Sequence, residues 1–105
     1  MRVEKMRVEK MREQEKLIVK VTGRLDTTTA PQLEEELKAS IEEVNYIIMD
    51  FSNLEYISSA GLRVLWWAYK AMKEQEGSLV VRGANEEVRE VFTITGFAEV
   101  FHLEN

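Results

Sequence analysis

Two adjacent serines are the residues of this chain best placed to do chemistry. Ser58 and Ser59 follow an apolar stretch that is typical of a strand, and they precede an amphipathic stretch that is typical of a helix. The first backbone N–H groups of a helix lack partners within it, and the helix dipole adds a partial positive charge there. A serine in this place is a preferred helix cap, and a phosphate group would be stabilised there. The pattern therefore predicts either a cap or a phosphoacceptor.

Other reactive groups form no recognisable constellation. The chain has one histidine, His102, and no cysteine, and it lacks zinc-ligand, phosphate-loop and dinucleotide-binding patterns. Asp26 and Asp50 both follow predicted strands, whose carboxyl ends should share one edge of the sheet. Both are thus candidate neighbours of the serines, with a turn role as the alternative for Asp26. We expect no metal site, no cofactor and no enzymatic activity of the chain's own.

The composition indicates a single globular domain that neither binds nucleic acid through its charge nor crosses a membrane. The 105 residues are 45% hydrophobic and 31% charged, which is typical of a single globular domain. A net charge of −5 argues against binding nucleic acid through phosphate neutralisation. No apolar run is long enough to cross a membrane. The absence of cysteine fits a cytoplasmic protein.

A five-residue unit, Met-Arg-Val-Glu-Lys, occurs twice at the N-terminus, in residues 1–5 and 6–10. Strand side chains alternate with period two, so the two copies would face opposite sides of one continuous strand. We expect the second copy to form a strand that turns at 13–16 and pairs with the next strand. Residues 1–5 should be frayed, which leaves 6–105 as the domain. A short helix is the alternative for this region.

Strands and helices alternate along the rest of the chain. The predicted strands are 17–22, 46–51, 78–82 and 100–103, and the predicted helices begin near 30, at 59 (to 76) and at 86 (to 94). Thr29, Pro31 and Gln32 have the spacing of an N-cap, a first turn and a capping box. The apolar run in 46–51 predicts a central strand covered on both faces. The pattern predicts an α/β domain with a mixed, mostly parallel sheet, an N-terminal β-hairpin and helices packed on the sheet.

The helix predicted at 59–76 carries apolar residues on two sides. At about 100° per residue, the side that should pack on the sheet holds Leu62, Leu65, Trp66, Tyr69 and Met72. The roughly opposite side holds Ala60, Val64, Trp67 and Ala71. A contiguous apolar strip beside the serines is a candidate interface. Packing of Trp67 under a neighbouring loop is the alternative for that residue.

Three sequence blocks together resemble a STAS domain of the bacterial anti-sigma factor antagonist type. They are Gly-Arg-Leu-Asp at 23–26, Asp-Phe-Ser at 50–52 and Ile-Ser-Ser-Ala-Gly-Leu at 57–62. The resemblance runs from about residue 6 to the end. STAS domains usually continue into a C-terminal amphipathic helix, which we expect to be missing after Leu103. A second copy of the molecule, forming a homodimer, is one candidate to cover the sheet there.

The resemblance implies a phosphorylation switch. In that family an unphosphorylated antagonist binds an anti-sigma factor and frees the sigma factor. The anti-sigma factor is also a kinase, and it releases the antagonist by phosphorylating one serine. Matching Gly61 to the family's motif puts Ser59 at the phosphorylated position and Ser58 where members commonly have Asp. With the outward strip of the helix, this predicts a partner-binding surface: Ser58, Ala60, Arg63, Val64 and Trp67.

We therefore expect a cytoplasmic regulator of transcription that acts by protein–protein interaction. Its expected partners are an anti-sigma factor serine kinase and a serine phosphatase, with no direct contact to nucleic acid or membrane. One alternative is a STAS module of a stressosome or of a transport-accessory system. Another is an engineered or structural STAS scaffold without a partner.

Overall fold

A five-stranded mixed sheet organises the protein, and the computed structural model describes residues 5–104. The elements are β1 (Met6–Glu13), β2 (Lys16–Leu25), α1 (Ala30–Lys38), β3 (Tyr46–Ile57), α2 (Ser59–Glu74), β4 (Ser78–Arg82), α3 (Glu86–Thr95) and β5 (His102–Glu104), with short 3-10 helices at Ile41–Glu43 and Phe97–Glu99. The strand order is β1-β2-β3-β4-β5. β1 is antiparallel to β2 and all other neighbours are parallel. The predicted α/β fold with an N-terminal hairpin is confirmed.

All three α-helices of the described chain lie on one face of the sheet. Each crossover moves one strand further in the same direction, and right-handed crossovers of that kind place their helices on the same side. The main hydrophobic cluster accordingly includes Leu33, Leu65 and Phe92, one from each helix. Ile48 and Val80 are buried but lie outside this cluster, so they mark the opposite face. The prediction that β3 would be covered on both faces is wrong.

The opposite face carries a row of alternating charges, which makes it compatible with water. Glu9, Lys20, Asp50, Arg82 and Glu104 are successive cross-strand neighbours from β1 to β5. The guanidinium of Arg82 lies 4.0 Å from the carboxylate of Asp50. Opposite charges at neighbouring positions of a sheet contribute roughly 0.2–1 kcal/mol per pair. The row therefore adds modest stability on the side that the helices leave uncovered.

The second copy of the N-terminal repeat begins β1, as predicted. The eight residues of β1 pair with β2 in an unbroken antiparallel register and turn at the predicted position, 13–16. The carbonyl of Lys5 also accepts a hydrogen bond from the N–H of Arg24 at 2.8 Å, so pairing starts one residue earlier than expected. The expected fraying otherwise concerns residues 1–4, which lie outside the described residues.

Helix α1 begins where predicted but is held by different hydrogen bonds. Thr29 occupies the N-cap position and Pro31 lies in the first turn. The Thr29 hydroxyl accepts a hydrogen bond from the N–H of Asp26 and donates one to the carbonyl of Arg24, both at 2.8 Å. The predicted capping box does not form, because Gln32 makes no side-chain hydrogen bond within the described residues. The hydroxyl instead ties the start of α1 to the end of β2.

Candidate functional site

β3 is longer than predicted and carries the chain directly to the serines. It ends at Ile57 rather than near residue 51. Its pairing with β2 shifts between Lys20 and Thr22 and again between Gly23 and Arg24. Such bulges interrupt the period-two alternation of side chains. This is why the polar residues after 51 looked like a loop in the sequence.

The longer strand separates Asp50 from the serines. Asp50 precedes Ile57 by seven residues, which is about 23 Å along a strand. Its carboxylate accepts a hydrogen bond from the N–H of Ser52 at 3.0 Å, at the first bulge. Burial would raise the pKa of Asp50, but hydrogen bonds from Ser52 and the charges of Arg82 and Lys20 lower it. The expectation that Asp50 neighbours the serines is corrected: it belongs to the middle of the sheet.

Asp26 lies at the same edge of the sheet as the serines. The carbonyl of Leu25 accepts a hydrogen bond from the N–H of Ser58 at 2.9 Å, which joins the end of β2 to the start of α2. The Asp26 carboxylate accepts hydrogen bonds from the hydroxyl of Thr28 at 2.7 Å and from its N–H at 2.9 Å. These bonds, the hydroxyl's above all, lower the pKa of Asp26 to about 2. Asp26 thus has the turn role that was its alternative interpretation.

The two serines have different surroundings. Ser58 is the N-cap residue of α2, but its side chain makes no capping hydrogen bond. Its Oγ is buried and has no hydrogen-bond partner among the described residues. Ser59 is the first residue of the helix and is exposed. Of the two hydroxyls, that of Ser59 is therefore the one that another protein can reach.

Close packing at Gly61 holds this turn in place. A Cβ atom on Gly61 would lie 2.7 Å from Cγ of Leu25 and 3.0 Å from Cγ1 of Ile57. The first turn of α2 therefore rests directly on the ends of β2 and β3. A glycine at this position of the motif has a packing reason that is independent of any partner.

We predict that Gly61→Ala lowers the free energy of unfolding by about 1–2 kcal/mol, because an overpacking cost of about 2–3 kcal/mol outweighs the roughly 1 kcal/mol gained in helix propensity. Denaturant unfolding of the variant and the wild type measures the difference. Ser59→Ala changes an exposed residue of the same turn and is the matched control, with an expected change within about 0.5 kcal/mol. Equal stability of Gly61→Ala and wild type would show that Leu25 can move aside at no cost.

Removing the buried hydroxyl of Ser58 should also have an unusual effect. Loss of a capping serine normally costs about 0.5–2 kcal/mol, but here the hydroxyl has no partner to lose. We expect Ser58→Ala to leave stability unchanged or to raise it by up to about 1 kcal/mol. Asn85 is the matched comparison, since its side chain accepts a hydrogen bond from the N–H of Val88 at 2.8 Å at the start of α3. In denaturant unfolding, Asn85→Ala should destabilise, and a similar loss in Ser58→Ala would contradict the assignment.

The predicted partner-binding residues of α2 line one wall of a groove, except for Ser58. The wall consists of Ala60, Arg63, Val64 and Trp67. The opposite wall comes from α1 and the turn before it: Thr27, Ala30, Pro31 and Glu34. The groove has a volume of about 330 Å³. The sequence interpretation missed the α1 wall, although the short side chains before and in the first turn of α1 could have suggested it.

Helix α2 is the middle helix and is buried over a wider arc than predicted. Leu62, Leu65 and Met72 are at most 2% exposed, as expected for residues that pack on the sheet. Val64 was predicted to point outward, but it is 8% exposed and lies in the groove beside α1. Trp67 is half-buried against the main cluster while still lining the groove. The outward interpretation of Trp67 therefore holds in part, and its buried portion packs on the core.

Trp66 and Tyr69 lie on the other flank of α2 rather than directly on the sheet. Both are half-buried, and their rings stack with centroids 5.7 Å apart. The Trp66 ring also lies 6.0 Å from that of Phe97, and the Tyr69 ring lies 5.5 Å from that of Phe101. This aromatic group connects α2 to the C-terminal part of the chain. Trp66 and Trp67 consequently lie on opposite flanks of the buried face of α2.

Two further findings bear on function. Among residues 5–104, no group of three or more His, Cys, Asp or Glu side chains is arranged to hold a metal ion. In the same part of the chain, no helix has the length and apolar character needed to span a bilayer.

Comparison with known proteins places this arrangement in a family. Residues 7–105 match the STAS domain. The chain belongs to the STAS domain family. This STAS domain is 39% identical over 90 residues to a Bordetella bronchiseptica protein named as the anti-sigma factor antagonist BtrV, covering 85% of this chain and 78% of that one. It is 33% identical over 86 residues to the anti-sigma-B factor antagonist of Staphylococcus epidermidis, covering 81% and 80% respectively.

The fold agrees with that of a solved relative. A crystal structure of an anti-sigma factor antagonist from Mycobacterium paratuberculosis matches this STAS domain with a TM-score of 0.86 and 25% identity, covering 94% of this chain and 85% of that chain. The family predicted from the three sequence blocks is confirmed.

Proposed function

We propose that this STAS domain is an anti-sigma factor antagonist whose partner docks over the groove between α1 and α2, and that phosphorylation of Ser59 switches docking off. The observation that carries the proposal is one exposed hydroxyl beside an open groove. Ser59 is exposed and directly precedes Ala60, which lines that groove. The names of the relatives support the choice of an anti-sigma factor as the partner.

Phosphorylation at this point would change binding far more than folding. A phosphoserine adds about −1.5 to −2 charges and three acceptor oxygens. At the N-terminus of α2 this charge faces unpaired backbone N–H groups and the positive end of the helix dipole, which tolerate it. A partner packed over the groove would instead have to bury a dianion, which is costly without a compensating cation. One covalent event thereby becomes a binding switch.

The groove offers two kinds of contact to a partner. Trp67 presents a large half-buried ring, a residue type that often contributes most to binding at an interface. Arg63 is exposed and makes no hydrogen bond, ion pair or ring contact with the described residues. Its guanidinium is therefore available for an acidic group of the partner. An apolar anchor beside an unpaired cation favours a partner surface that combines an apolar side chain with a carboxylate.

In this mechanism all catalysis belongs to other proteins. The anti-sigma factor supplies the kinase activity, and a serine phosphatase regenerates the hydroxyl of Ser59. Sigma factors act in the cytoplasm, and we place this STAS domain there. It needs no direct contact with nucleic acid or membrane for this role.

We expect the cognate anti-sigma kinase, with ATP and magnesium, to phosphorylate Ser59 and leave Ser58 unmodified. The reason is accessibility, because the hydroxyl of Ser58 is buried and that of Ser59 is exposed. Mass spectrometry of the reaction products locates the phosphate. Ser59→Ala should abolish incorporation, while Ser58→Ala, the matched control, should retain it. Phosphate on Ser58, or none at all, would refute the site. Binding that never responds to ATP would favour a STAS module of another system.

We also expect Trp67→Ala to weaken partner binding at least tenfold, the loss typical of an aromatic anchor. Calorimetric titration with the anti-sigma factor measures it, and circular dichroism checks that the variant is folded. Trp66→Ala is the matched control, because it removes the same side chain from the opposite flank of α2. It should lower stability while leaving affinity within about twofold. Equal affinity of both folded variants would exclude the groove as the docking site.

A further inference from the structure

The outer edge of β1 pairs with no strand among the described residues. β1 stands first in the strand order, so β2 is its one neighbour among the described residues. It is eight residues long, its register with β2 is unbroken, and it contains no proline. Bulges, prolines, short length and charged side chains are the usual devices that prevent another strand from adding to an edge. β1 lacks the first three, so its protection rests on its charges alone.

The direction of its backbone groups follows from the hairpin. The carbonyl of Lys5 accepts a hydrogen bond from Arg24 in β2. In an antiparallel pair every second residue exchanges hydrogen bonds with its partner strand, so Lys5 and the residues at even spacing from it face β2. The N–H and C=O groups of Met6, Val8 and Lys10 therefore point away from the sheet. They form the free edge.

We propose that β1 pairs antiparallel with β1 of a second copy of this chain, around a two-fold axis at Val8. The two five-stranded sheets then form one continuous sheet. Val8 of one copy lies opposite Val8 of the other, Met6 opposite Lys10, and Arg7 opposite Glu9. The outward-pointing groups make roughly six backbone hydrogen bonds in this register. Both Arg7–Glu9 pairs unite opposite charges across the axis.

The order of charges selects this register over its competitors. A two-fold axis normal to the sheet keeps each side chain on the same face in both copies. Directly opposite residues must therefore both be even-numbered or both odd-numbered, which requires the axis to pass beside one residue and its own copy. Axes at positions 7, 9, 10 and 12 place identical charges against each other. An axis at Met6 places Lys5 of one copy opposite Arg7 of the other. An axis at Met11 places Lys10 opposite Arg12. Like charges directly opposite each other destabilise a strand pair.

The repeated pentad explains why such a register exists. In Met-Arg-Val-Glu-Lys the central Val is flanked by a cation on one side and an anion on the other. An antiparallel copy of this unit therefore places Arg opposite Glu on both sides of the central Val, and Lys opposite Met. The unit is self-complementary as a strand, and the proposal needs the second copy alone, residues 6–10.

The pairing leaves the groove free, so it does not depend on the proposed function. On the β1 side of α1, Nζ of Lys10 donates a hydrogen bond to the carbonyl of Glu36 at 3.1 Å. The groove lies on the other flank of α1, where Glu34 contributes to its wall. Helix α1 thus stands between the two surfaces, and a dimer built on β1 presents two accessible grooves.

Charge reversal tests the register. Arg7→Glu leaves acids at both positions 7 and 9, and Glu9→Arg leaves cations at both, so each variant should repel its own copy. An equimolar mixture of the two variants restores both opposite-charge pairs. Sedimentation equilibrium should show wild-type dimers, at least tenfold weaker self-association of each variant alone, and recovered dimers in the mixture. Glu74→Arg, an exposed position on α2 with the same charge change as Glu9→Arg, is the control and should dimerise like wild type.

Amide exchange provides a readout that does not depend on substitutions. Raising the wild-type concentration should protect the outward N–H groups of Met6, Val8 and Lys10, while protection of the inward N–H of Glu9 stays constant. A wild-type protein that is monomeric up to about 1 mM overturns the proposal, since even weak specific dimers form below that concentration. Three other results would also overturn the pairing of β1 with its copy. They are variants that self-associate like wild type, a mixture that fails to recover dimers, and assemblies larger than a dimer.

Discussion

The contact between the first turn of α2 and the ends of β2 and β3 is the constraint on which the candidate site depends. Gly61 comes so close to Leu25 that a Cβ atom would lie 2.7 Å from its Cγ. The hydrogen bond from Ser58 to the Leu25 carbonyl fixes the same turn through the backbone. A shift of the chain by one residue would place either Ser59 in the buried N-cap position or Ser58 in the exposed first position of the helix. Backbone packing therefore decides that Ser59 is the accessible serine.

The same packing buries the side chain at position 58, where this chain has a neutral residue. The Oγ of Ser58 is buried and has no hydrogen-bond partner among the described residues. An ionised carboxylate in that position would lose hydration and would depend on the unpaired N–H groups at the start of α2 for compensation. With Ser58 neutral, the start of α2 carries no acidic side chain in its first turn. Under the proposed mechanism, modification of Ser59 is then the event that brings negative charge to this point, so the contrast between the two states is large.

The sequence predicted those features that depend on local patterns. The order of elements, the hairpin and the start of α2 follow from side-chain periodicity and from serine, threonine and glycine signals. The full length of β3 could not be predicted, because register shifts between Lys20 and Thr22 and between Gly23 and Arg24 break the alternation that identifies a strand. The α1 wall of the groove could not be predicted either, because it arises from packing between helices that are distant in sequence. The apolar run containing Ile48 suggested that helices cover both faces of β3. The face that carries Ile48 has no helix, because Ile48 lies between Ile18 and Val80 of the neighbouring strands and beside the row of paired charges.

The one-sided arrangement of helices has a consequence for how the molecule can be bound. With α1, α2 and α3 on one face, the groove belongs to the helical layer, and the free strand edge belongs to the sheet layer. Charged residues on an edge strand usually keep other strands away. That protection depends on the order of the charges as well as on their number, because a second copy meets the strand in reverse. Arg7 and Glu9 are placed symmetrically about Val8 with opposite signs, so reversal converts the expected repulsion into attraction.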